Sequence, residues 1–239
     1  MTIEAAVAPL AAYAVVVQTL VYAAVPARLR INVAPVITAM FGAVVVVGAG
    51  LIFGVDRIGL TGGSAGVALV WGSMTLVVVA AVGTMMMTSE TWRGRLADPR
   101  LAGLTRRQTI TQVLVRIPVC TALIEEAFFR GVLHAALIAL YPSEAAIWLG
   151  AGLFGLWHVA PGLEQARSTN LATRATAIHS VATFVVTTMA GVFLVWLRIE
   201  TGSIWAPVAV HAIVNATLAM VSRSAARRPA AAPGRIASV

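Results

Sequence analysis

Two adjacent glutamates inside an apolar run are the first residues here with an evident chemical use. The stretch reads Ile124-Glu125-Glu126-Ala127-Phe128-Phe129-Arg130. Neighbouring residues on a helix point about 100° apart, so the two carboxylates face different surroundings. Glu126 and Arg130 stand at i and i+4 with the acid first, the favourable order for an ion pair. Glu125 has Phe129 at its own i+4 position and is left without that partner. A carboxylate in apolar surroundings is a base suited to activating water. Glu125 is therefore the candidate catalytic base, and Glu126–Arg130 the supporting pair. The plainer reading is one buried charge network without catalysis.

Further along, Phe154-Gly155-Leu156-Trp157-His158 closes another apolar run. A lone histidine at a helix end serves an interface or a reaction, and residue type alone leaves both open. His211 and Asn215 are also i and i+4, so they share a face one turn apart. Imidazole N–H and amide NH₂ are both donors, and two convergent donors can form an oxyanion hole. They can equally act as polar glue between helices.

The Glu-Glu-x-x-x-Arg, Phe-x-x-x-His and His-x-x-x-Asn motifs, in this order, resemble the CAAX protease and bacteriocin-processing family, also called the ABI family. The resemblance covers about residues 113–221 and implies an intramembrane glutamic endopeptidase. On that resemblance Glu125 and His158 activate water, His211 and Asn215 stabilise the tetrahedral oxyanion, and Glu126 and Arg130 support the first motif. It also implies a peptide or protein substrate, and no cofactor. The rival on the same residues is a zinc protease, with Glu125, His158 and His211 as three ligands. Asn215 is a poor zinc ligand, which favours the metal-free form.

These residues must be held by membrane helices. Hydrophobic residues make up 59% of the 239 and charged residues 11%, with mean hydropathy +0.90. A soluble domain carries about 25% charged residues. Crossing the hydrocarbon core takes about 20 apolar residues. Candidate spans lie at roughly 5–25, 33–53, 66–87, 113–140, 144–160, 178–199 and 204–221. The expected fold is an all-α membrane bundle of about seven helices with the active site between them. The span domain is 1–221, and 222–239, rich in Ala, Pro, Ser and Arg, reads as a disordered cytoplasmic tail. The first run, preceded by Glu4 and followed by Arg28 and Arg30, reads as a span and not a signal peptide.

All 17 basic residues are Arg, and the net charge is +8. With the Ala and Val richness, this points to a GC-rich bacterial genome. No basic stripe interleaves with aromatics, so nucleic acid is excluded and lipid headgroups are the expected partner of these charges. Loops one, three and five and the tail hold Arg28, Arg30, Arg93, Arg95, Arg100, Arg106, Arg107, Arg167, Arg174, Arg223, Arg227, Arg228 and Arg235. The other side has Arg57 and Arg198, each near an acid. The bias predicts a cell-membrane protein with an external N-terminus and a cytoplasmic C-terminus. Loop three, about 88–112, is expected to include an amphipathic interfacial helix.

Two other readings arise. Gly62-Gly63-Ser64-Ala65-Gly66 spells G-x-S-x-G, but a nucleophile elbow needs a preceding strand. Buried acids and histidines also suit a proton relay in a transporter, and a non-enzymatic scaffold is the remaining alternative. Cys120, His134 and His179 are read as packing or interfacial residues.

Overall fold

The computed structural model describes residues 4–227. They are mostly helical, with no strand among the described residues. A short 3₁₀ turn, Glu4–Ala6, leads into α1 (Val7–Ala24), α2 (Ala27–Phe53) and α3 (Ala65–Met86). Two short helices follow, α4 (Glu90–Leu96) and α5 (Pro99–Ala102). Next come α6 (residues 106–140), α7 (Ser143–Trp157), α8 (Val159–Ser168), α9 (Thr173–Thr201) and α10 (Trp205–Arg227).

Among the described residues six helical stretches are long and apolar enough to cross a membrane: α1, α2, α3, the pair α7–α8, α9 and α10. The chain is a multi-pass membrane protein. Its outward faces carry exposed Leu51, Leu69, Val44 and Val77, which only a lipid solvent tolerates in such number. The remaining predicted span is α6. It differs in kind, because it alternates between α and the wider π geometry over Gln112–Leu123 and Ala127–Leu133. Pro118 lies in the first wide stretch. Proline has no N–H for the i→i−4 ladder, so the turns there must adjust.

The α6 run from Glu125 to Leu137 is buried. Its charges are expensive in lipid, so the other helices enclose it. Phe128, Phe129, Leu133 and Leu137 form the core with Phe154, Trp157 and Ile204. Small residues let the helices approach. A Cβ on Gly72 would lie 2.9 Å from Ile213 Cδ1 on α10, and one on Gly83 would lie 2.8 Å from Val221 Cγ2. Close packing at such residues takes the place of a hydrophobic drive that lipid cannot supply. Gly131 similarly lets α6 pass the Ile58 carbonyl, 2.7 Å from where a Cβ would stand.

Several boundaries differ from expectation. α6 begins at Arg106, ahead of the apolar run, because Thr105 and Gln108 form a capping box. α2 likewise begins at Ala27 and takes in Arg28 and Arg30. α10 extends to Arg227, so the predicted tail at 222–239 begins helical, and residues 228–239 lie outside the described residues. Loop three contains α4, whose Arg95 guanidinium stacks 5.0 Å over the half-exposed Trp92 ring.

The Arg-rich connections meet at one end of the bundle. Arg30 pairs with Glu164 of α8, Arg116 donates to Asn32, and Arg223 Nη2 donates to the Leu104 carbonyl at 2.9 Å. At the other end Ile204 N–H donates to the Gly59 carbonyl at 3.1 Å. Trp205 Nε1–H donates to the Leu60 carbonyl, also at 3.1 Å. In the Gly62–Gly66 stretch, residues 62–64 are an irregular connection and Ala65 and Gly66 begin α3. Gly62 and Gly63 have φ of +78°, which favours glycine. Ser64 Oγ accepts from Gly66 N–H at 3.2 Å as the cap of α3. No strand precedes it, so it is not a nucleophile elbow.

Candidate active site

Glu125 and Glu126 sit on one α turn, Ile124–Glu126, between the two wider stretches of α6. Both are buried. Glu126 Oε1 accepts from Arg130 Nη1 at 2.9 Å, the pair expected from i,i+4 spacing. Arg130 also donates to the Gly191 carbonyl of α9 at 3.3 Å and lies 4.1 Å over the Phe154 ring. These contacts spread its charge over an acceptor and a ring face as well as a carboxylate.

Glu125 points elsewhere. Its Oε1 accepts from Trp157 Nε1–H at 3.0 Å. Its Oε2 has no hydrogen-bond partner among the described residues. It lies 3.7 Å from His158 Nε2 and 3.9 Å from His211 Nε2. Thus side chains from α6, the end of α7 and α10 converge on one carboxylate oxygen.

Hydrogen bonds orient both imidazoles. His158 Nδ1 lies 2.8 Å from the Phe154 carbonyl, which can only accept. The proton is therefore assigned to Nδ1, leaving a lone pair on Nε2 toward Glu125. His211 Nδ1 lies 2.7 Å from Glu126 Oε1, so its Nε2 is the nitrogen that faces Glu125. Glu126 thus holds two partners, Arg130 and His211, where spacing alone gave it one.

His158, His211 and Asn215 line an apolar cleft of about 450 Å³ between α3, α7, α9 and α10. Its size suits a short segment of a larger ligand. Met74, Val78 and Val186 on its rim are exposed, so the cleft opens toward the lipid side of α3 and α9. Asn215 is half-buried on the same helix face as His211, and its side chain makes no protein hydrogen bond among the described residues. The structure therefore brings Glu125, His158, His211 and Asn215 to one place, with Glu126 and Arg130 immediately behind. His134 and His179 line neither this cleft nor the surroundings of Glu125.

Residues 107–217 match the family "Type II CAAX prenyl endopeptidase Rce1-like". The match bears out, over that stretch, the resemblance read from the three motifs. The family is one of endopeptidases, which act on peptides or proteins. No curated protein and no solved structure matches the chain.

Residue spacing gave no role to Trp157 and Tyr13. Trp157 holds Glu125 Oε1, although it sits beside His158 in the second motif. Tyr13 comes from α1, outside the Rce1-like segment. Its ring stacks on Trp157 with centroids 6.0 Å apart, and with Glu125 and Cys120 it lines a small cavity behind the carboxylate. No sequence signal marks Tyr13, because its use depends on how α1 packs.

Proposed function

We propose that the protein is an intramembrane glutamic endopeptidase that hydrolyses a peptide bond in the α3–α9 cleft. The observation that carries this reading is the convergence of His158 Nε2 and His211 Nε2 on Glu125 Oε2, at 3.7 and 3.9 Å. These separations are too long for direct hydrogen bonds and suit one water shared between Glu125 and His158. Both atoms are acceptors, so they can take the two hydrogens of that water and raise the electron density on its oxygen. The oxygen adds to the peptide carbonyl carbon, and Glu125 takes the proton. The carbonyl π electrons move onto oxygen, and the oxyanion is stabilised by Asn215 NH₂ and an N–H on His211 Nε2. With Nδ1–H held by Glu126, that second N–H requires a doubly protonated ring. Such a ring, with Arg130, would balance the charges of Glu125 and Glu126. Collapse of the intermediate breaks the C–N bond, and Glu125 returns its proton to the leaving nitrogen. Loss of cleavage in a folded Glu125→Gln protein tests the reading.

One observation favours a second reading. A carboxylate on the distal nitrogen of a histidine, as Glu126 stands to His211, is also the arrangement found behind zinc-bound imidazoles. Against it, Asn215 occupies a position where another histidine would serve zinc better. We expect the purified enzyme to keep nearly all of its activity after prolonged chelation. Stoichiometric zinc, with activity lost on its removal and regained on its return, would establish the metal enzyme instead.

For the orientation we propose an external N-terminus and a cytoplasmic C-terminus in the cell membrane, because the Arg-rich connections share one end. A cysteine at Ser224 should resist an impermeant thiol reagent in intact cells and react once the cells are opened. Ready labelling before opening would reverse the orientation.

A further inference from the structure

A second groove lies away from the candidate active site, where the start of α6 meets the end of α10. It is about 580 Å³ and is lined by Arg106, Arg223 and Arg227 with Val113, Leu114 and Met220 among its apolar residues, and by no acid among the described residues. Two of the arginines are held by neutral oxygens. Arg223 Nη2 donates to the Leu104 carbonyl at 2.9 Å, and Arg227 Nη2 donates to the Ala102 and Leu104 carbonyls, both at 3.1 Å. Carbonyl partners fix the guanidinium groups without neutralising them. Arg223 Nε is buried with no hydrogen-bond partner among the described residues, a donor still to be satisfied. Arg106 is exposed, makes no side-chain hydrogen bond or ion pair among the described residues, and stands on the first turn of α6. There the helix dipole adds to the positive potential.

The apolar half of the groove is open as well. Leu114 and Met220 are exposed, Leu114 by 67%. They run from the arginines toward the middle of the span. Three uncompensated cations beside an apolar channel at a membrane boundary match the chemistry of one ligand, a phosphate ester carrying an acyl chain. We propose that this groove binds an anionic phospholipid. Its phosphate lies among Arg106, Arg223 and Arg227, and one acyl chain lies along Leu114 and Met220. The inference is independent of the catalytic reading.

The test is native mass spectrometry of the full chain in detergent, titrated separately with dioleoylphosphatidylglycerol and dioleoylphosphatidylcholine. Phosphatidylglycerol should bind tighter. Arg106→Gln should weaken it by about fivefold, the effect of one basic residue at an anionic surface, while leaving the melting curve unchanged. Leu114→Ala should also weaken it, through the acyl chain. Arg57→Gln, an equal loss of charge at an exposed site on the other end, should leave it unaltered. Equal binding of the two lipids, an unaffected Arg106→Gln, or an equal loss in Arg57→Gln would overturn the proposal. Displacement of phosphatidylglycerol by millimolar inorganic phosphate would overturn it too, since that would mark a site for the free anion.

Discussion

Replacing Glu125 with Gln should remove turnover by ~10²–10⁴-fold, the usual contribution of a general base, without unfolding the protein. The substitution keeps the side chain's size. It also keeps an amide oxygen able to accept from Trp157 Nε1–H, so the anchor at 3.0 Å can persist. What is lost is the ability of the second oxygen, the one facing His158 and His211, to take a proton. The expected signature is a melting curve near that of the wild type, retained peptide binding and lost kcat. A stable Glu125→Gln protein with normal kcat would remove Glu125 from the chemistry.

Glu126→Gln should fail differently and more broadly. Glu126 is fully enclosed and serves Arg130 at 2.9 Å and His211 at 2.7 Å. Taking one partner from a buried pair typically costs ~3–5 kcal/mol, because the remaining charge is left unpaired. We expect a lower melting temperature and yield. Activity should fall as well, because the amide oxygen can still accept from His211 Nδ1–H but lacks the negative charge that strengthens that bond. Neutralising Glu126 and Arg130 together should restore part of the stability, since no buried charge is then stranded. It should not restore activity, because His211 still lacks a carboxylate behind it. A double variant as unstable as the single one would show that the pair is not the source of the loss. The combination of melting curves and cleavage rates separates the two adjacent glutamates.

The site was unusually legible because lipid makes ionisable side chains rare. Glu125, Glu126, Arg130, His158, His211 and Asn215 stood out against apolar runs, and i,i+4 spacing gave the Glu126–Arg130 pair. Spacing within one helix says nothing about contacts between helices. The Glu126–His211 bond joins residues on α6 and α10, and the Trp157–Glu125 bond joins α7 to α6. Neither follows from a pattern in the chain. Tyr13 is a stronger case, since it reaches the back of Glu125 from a helix that shares no motif with the site.

The fold was legible to the same depth. Apolar runs located the spans, but their ends are set by caps and polar turns that hydropathy does not weigh. Thr105 and Gln108 start α6 ahead of its apolar stretch. The wide turns of α6 were not anticipated, because only Pro118 hints at them. They bracket the turn that carries both glutamates, and such widening is frequent at functional sites.

On the proposed mechanism, Glu125 activates a water that cleaves a peptide bond. The most direct measurement incubates the purified protein, reconstituted in lipid, with a library of membrane peptides in ¹⁸O-labelled water. New C-termini are then read by mass spectrometry. Wild-type protein should yield cleavage products with one labelled oxygen in each newly formed carboxylate, and a folded Glu125→Gln protein should yield none. The same labelled products at the same rate from both proteins, or none from a well-folded wild type across the library, would contradict it.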